Sequence, residues 1–101
     1  MIIAEVSFMP FGVGLSVGDY VIEALKTFKR LRIKFTPNSM GTVIEAETID
    51  EIFNAVKEAE KSIISMGVKR LDTILKIDHR IDRENTSEIK MKRITDAMGV
   101  V

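Results

Sequence analysis

The chain has no cysteine and no tryptophan, and only one histidine, one tyrosine and two prolines among its 101 residues. Without cysteine there is no disulfide, no thiolate nucleophile and no thiolate zinc site, so stability has to come from packing. A surplus of either charge is missing as well, since 15 Lys and Arg balance 15 Asp and Glu. Such a chain has no long-range field to gather nucleic acid or an anionic membrane, and neither is expected as a partner. No apolar run approaches the ~18 residues of a membrane helix. The opening MIIAEVSFMP lacks a basic segment followed by a cleavage site, which points to the cytoplasm. What is present in quantity is apolar residues, at 46%. A chain of this size buries only about 60–65% of its extended surface, enough for one core, so residues 1–101 are expected to form a single domain and any large site to be shared between subunits.

Periodicity divides the chain into seven elements. Residues 2–9 alternate, with Ile2, Ala4, Val6 and Phe8 on one side and Ile3, Glu5, Ser7 and Met9 on the other, which predicts a strand. The loop PFGVGLSVGD follows and ends at Ser16, a candidate N-cap with Asp19 three residues on. Val17, Tyr20, Val21, Ala24, Leu25 and Phe28 then trace one apolar stripe, predicting a helix over 17–30. Strands at 32–37 and 42–48 flank a turn using Pro37, Asn38, Ser39 and Gly41. Thr48 and Glu51 form a capping box for a helix over 49–66, stopped by Gly67. VKRLDTILKID alternates again, and a short helix over 87–98 closes the chain. The pattern β-α-β-β-α-β predicts an α+β, ferredoxin-like sandwich: a four-stranded antiparallel sheet in the order 4-1-3-2, two helices on one face, plus the C-terminal helix.

Residues one apart on a strand point oppositely, which defines the face that the helices leave open. It collects Ile3, Glu5, Ser7, Lys34, Thr36, Val43, Glu45, Ile74, Lys76 and Asp78. Its mixture of aliphatics and complementary charges suits contact with a second copy, although one polar face on water is ordinary for such sheets. Glu5 and Glu45 fall on the two central strands and could form an acid/base pair in a small dimeric enzyme, or serve as ion-pair partners of Lys34 and Lys76. Glycines 12, 14 and 18 miss the G-x-G-x-x-G phosphate fingerprint. His79, between Asp78 and Asp82, matches no metal-ligand spacing and has no hydroxyl at a triad spacing, so neither a metal site nor a nucleophilic catalyst is expected. An RNA-binding sheet would need aromatics on the open face, and the acylphosphatase reaction an arginine in residues 10–18; the chain has neither. A structural or regulatory oligomerisation module remains a further alternative.

Four segments carry a resemblance: A-E-V-S-x-x-P-x-G at 4–12, S-V-x-x-Y-V at 16–21, M-G-T-x-I-E at 40–45 and R-x-x-T-x-x-K-I-D-x-R-x-D at 70–82. They resemble the small thiamine-binding protein family across nearly the whole chain except the last helix. The resemblance implies dimers or tetramers that bind thiamine or its aminopyrimidine part, with no catalytic residue and no cofactor beyond that ligand. On this reading Glu45 is the main polar anchor for the aminopyrimidine, because a half-buried carboxylate can accept or share a proton with the ring nitrogen and amine. Glu5 and Glu47 attract the thiazolium cation, Ser7, Thr36, Thr42, Ser16 and Tyr20 offer hydroxyls, and Met40 lines an apolar wall.

Overall fold

The computed structural model describes residues 1–99; the last two residues of the expected single unit lie outside the described residues. The elements are β1 (Ile2–Pro10), α1 (Gly18–Arg30), β2 (Lys34–Pro37), β3 (Thr42–Ala46), α2 (Ile49–Ile64), β4 (Leu71–Asp78) and α3 (Ser87–Met98). The antiparallel sheet runs β2-β3-β1-β4, which is the expected 4-1-3-2 order read from the other edge. Alternation along β1 fixes its faces. Ile2, Ala4, Val6 and Phe8 are buried and meet Ala24 and Phe28 of α1 and Ile52, Ala55, Val56, Ala59 and Ile63 of α2 in one core.

Helix ends follow local chemistry. The Thr48 hydroxyl accepts from the Glu51 amide at 3.2 Å, which is the N-cap half of the capping box expected at α2, and donates to the Glu51 carboxylate in place of the backbone bond that would complete the box. At α1 the expectation is corrected: the helix begins at Gly18, Val17 is the N-cap, and no side chain caps it. A capping residue needs extended backbone to swing its oxygen over the first turn. Val17 has ψ 7°, which leaves Ser16 one residue too early to reach. The same helix ends in a Schellman motif, with Ile33 N–H on the Phe28 carbonyl and Arg32 N–H on Lys29. Arg32 takes the left-handed position, φ 57°, where glycine is usual. Helix α2 stops at Ile64, two residues before the expected end, β2 begins at Lys34, two residues after the expected start, and β3 ends at Ala46, two residues before the expected end.

On the open face, pairing places Lys34, Glu45, Ile3 and Asp78 in one row across all four strands. Helix α3 starts above this row. None of its residues is buried, and the radius of gyration, 14.8 Å, exceeds the ~13 Å of a compact chain of this length. The helix therefore projects from the sandwich and leaves Met91, Ile94 and Met98 exposed.

Candidate functional site

A cavity arises at one end of the sheet from a mismatch in strand length. β1 pairs with β3 only as far as Val6↔Thr42, yet pairs with β4 on to Pro10↔Leu71. Beyond Val6 the β3 side of β1 is therefore open. The β2–β3 turn does not fill the gap because Asn38 curls it back: its Oδ1 accepts from the amides of Met40 and Gly41 at 2.8 and 2.9 Å, and its own amide donates to the Gly41 carbonyl. Such side-chain bonds to backbone two and three residues on are what make asparagine a turn residue. Gly41 suits this close approach, since a Cβ would stand 3.1 Å from the Val6 carbonyl oxygen and 3.5 Å from Glu5 Cγ and would push the turn away from β1 by a few tenths of an ångström.

The space between the end of β1, this turn and the start of α1 has a volume of about 440 Å³, within the ~300–1,000 Å³ of small-molecule sites. Val6, Phe8, Val17, Val21, Ile22 and Met40 give it apolar walls, and Ser7, Asn38, Ser39 and Thr42 supply the polar groups. Glu5 stands at the rim on the open face, where Asn38 Nδ2 donates to its carboxylate at 3.4 Å. The combination of apolar walls, a few hydroxyls and amides, and one carboxylate outside suits a flat, polar-edged and positively charged molecule.

The eight residues named from the sequence divide into groups. Ser7, Met40 and Thr42 meet in the cavity, with Glu5 at its edge. Ser16 is exposed in the loop beside Gly18. Tyr20 is half-buried and packs against the core instead of lining the cavity. Thr36 is exposed on β2, opposite Val43. Glu45 lies apart from the cavity, beneath α3, with its side chain 1% exposed. Its Oε1 accepts from the Ser87 amide at 2.7 Å, and its Oε2 is 3.4 Å from Lys34 Nζ. Ser87 is the first residue of α3, so the carboxylate sits where the free amides and the helix dipole favour negative charge.

The neighbours of Glu45 complete a clasp. Lys34 also pairs with Glu88, and this hydrogen bond, with the nearby Glu45 charge, raises the Lys34 pKa above the ordinary lysine value. On the far side Asp78 accepts from Lys90 at 2.7 Å and from the buried Asn85 at 3.3 Å, which together hold its carboxyl below the usual range. Sequence reasoning missed Asn38 as a lining residue and, of the clasp, anticipated only the pairing of a central-strand glutamate with Lys34. The first was legible only as a turn residue, and the second depends on where α3 lands. Among the described residues no group of His, Asp and Glu is placed to hold a metal ion, and no helix is long and apolar enough to cross a membrane.

A sequence profile for the family described as "Thiamine-binding protein" matches residues 4–95. The chain belongs to this family. A UPF0045 protein of Methanocaldococcus jannaschii is 46% identical over 93 residues, covering 92% of this chain and 91% of that one. A UPF0045 protein of Methanothermobacter thermautotrophicus is 35% identical, with 95% and 98% covered. The crystal structure of a hypothetical M. jannaschii protein superposes with a TM-score of 0.86 at 45% identity, over 94% of this chain and 96% of that one. A Thermotoga maritima protein, described as a candidate thiamine biosynthesis/salvage protein, shares the fold at a TM-score of 0.78 and 20% identity, covering 92% and 97%.

Proposed function

We propose that the chain is a cytoplasmic, homo-oligomeric binder of thiamine or its aminopyrimidine precursor, which it holds without transforming. The observation that carries this reading is the cavity itself. It brings Ser7 and Thr42 from the two central strands and Met40 from the β2–β3 turn to one place, in a chain of the thiamine-binding family. The heterocycle packs between Met40 and the start of α1, and the hydroxyls of Ser7 and Thr42 orient it. The thiazolium charge lies toward Glu5, so the anchoring role expected of Glu45 passes in this proposal to Glu5. Both oxygens of Glu45 are already engaged, by Ser87 and Lys34. Self-association follows from the exposed apolar residues of α3 and from Ile74, 69% exposed on the open face, which are costly to leave in water on a monomer.

Calorimetric titration of the purified protein with thiamine tests the reading. Heat saturating at one ligand per chain is expected, and recovery of intact thiamine by mass spectrometry separates binding from turnover. Absence of heat and of any thermal shift at millimolar thiamine would refute it. Glu5→Gln should weaken binding by about 0.5–1.5 kcal/mol, because the carboxylate is exposed and solvent screens its attraction for the cation. Glu45→Gln should leave the affinity nearly unchanged; a larger loss there than at Glu5 would restore Glu45 as the anchor.

A further inference from the structure

We infer that the aminopyrimidine edge of the ligand is read by the peptide backbone of β1, through the amide and carbonyl of Phe8, an inference that rests on the cavity being the vitamin site. The argument starts from strand geometry. In an antiparallel sheet a residue's N–H and C=O point to the same neighbouring strand, and successive residues alternate between the two neighbours. The Phe11 amide, donating to Arg70 at 2.9 Å, shows that odd-numbered residues of β1 face β4. Even-numbered residues consequently face β3, in agreement with the Val6 carbonyl beside Gly41. Phe8 is the first even-numbered residue beyond the last β3 partner.

Its N–H and C=O therefore point side by side into the cavity that Phe8 helps to line. The turn residue that would have opposed it, Met40, has its own amide on Asn38 Oδ1. A paired donor and acceptor at the wall of a mostly apolar pocket is a demand for a partner, because buried backbone groups are nearly always paired. A 4-aminopyrimidine presents the complement, a ring nitrogen that accepts next to an amine that donates. The ring nitrogen takes the Phe8 N–H and the amine gives its hydrogen to the Phe8 carbonyl. An added peptide strand would need the row to continue. The next even-numbered residue is Pro10, which has no N–H to offer, so the edge is one pair long and fits a small ring better than a strand.

Isotope-labelled protein followed by amide NMR tests this, with thiamine, its oxo analogue oxythiamine and an aminopyrimidine fragment lacking the thiazolium as probes. With thiamine or the fragment, the Phe8 amide should move downfield and exchange with solvent at least about tenfold more slowly, while the β4-facing amides of Ser7 and Met9 stay unchanged. Oxythiamine exchanges donor and acceptor along the same edge and should bind at least about tenfold more weakly than thiamine, the ratio set by ~1.4 kcal/mol. Saturation by thiamine with Phe8 exchange unaltered would overturn the backbone reading while leaving the vitamin site standing, and equal binding of oxythiamine would overturn it too. If only the fragment protects Phe8, the edge is right and the ligand is the aminopyrimidine precursor, with intact thiamine overturned as the occupant. If no probe is bound, both fall.

Discussion

Arg32 and Glu45 show how much one residue decides locally. Arg32 closes the Schellman motif at φ 57°, a conformation that costs an L-residue roughly 1–2 kcal/mol, whereas glycine there loses roughly 0.5–1 kcal/mol in unfolded-state entropy. Arg32→Gly should therefore stabilise the protein by about 0.5–1 kcal/mol, read as a shift of the urea midpoint without a change in slope. Glu45 works in the opposite sense. A buried carboxylate with a backbone amide and a lysine ammonium as partners is worth more than a neutral bond, and Glu45→Ala should cost about 2–3 kcal/mol. The loss should appear first as faster hydrogen exchange in α3, because Ser87 loses its acceptor. Slow exchange persisting in that helix would mean that Lys34 and Asp78 hold it alone. Nothing at positions 44–46 announces this role. Alternation places Glu45 on the open face, but which partner reaches it is decided by a helix that begins 42 residues later.

At the scale of elements, strands and helices were legible where one face is dry. The alternation in β1 reproduces the observed core residue by residue, and of the α1 stripe Ala24 and Phe28 are buried with Tyr20 and Leu25 packed against them, while Val17 and Val21 line the cavity, because burial imposes the periods that the sequence displays. The misreadings lie at ends. Ser16 has the chemistry of an N-cap but not the backbone position, and the strands expected over 32–37 and 42–48 run through Arg32, Ile33, Glu47 and Thr48 past the last pairing partners. Helix α3 was legible as a helix, because Thr86 caps it and its span is 87–98, but its location was not, since its apolar residues meet no core. Its attachment is electrostatic and therefore has pH limits. Asp78 has a depressed pKa, so its contribution is present above the ordinary carboxylate value of ~4 and fades as pH falls through the lower folded value. Lys34 has a raised pKa, so its share is complete below the ordinary lysine value of ~10.4 and fades as pH rises through the higher folded value. Protection of the α3 amides, taken as the exchange rate relative to that of an unstructured peptide at the same pH, should accordingly be greatest between these limits and fall at both extremes before that of the core amides; pH-independent protection would place the attachment elsewhere.

The whole molecule is a small core with two unfinished surfaces, the projecting helix and the cavity at the end of the sheet. Phe28 is fully buried at the centre of that core, and Phe28→Ala should cost about 3–5 kcal/mol, a large fraction of the ~5–15 kcal/mol that stabilises a domain of this kind. If subunit contact supports the fold, as proposed, then Ile94→Lys on α3 should lower the mass seen in sedimentation and reduce thermal stability at low protein concentration, while leaving the fold intact. An unchanged mass would remove α3 from the contact. The cavity was only partly legible: Ser7, Met40 and Thr42 could be named from residue type and family motif, whereas their convergence depends on the register of β1 against β3. That register has a consequence for how such a site could diversify. One side of the cavity is bounded by a four-residue bend, opposite walls that include the core residues Val6 and Phe8, so inserting or deleting residues around positions 38–41 would enlarge, shrink or seal the chamber while the hydrophobic interior stayed as it is. Ligand preference in this scaffold can thus drift through changes in loop length alone, without first passing through an unstable intermediate.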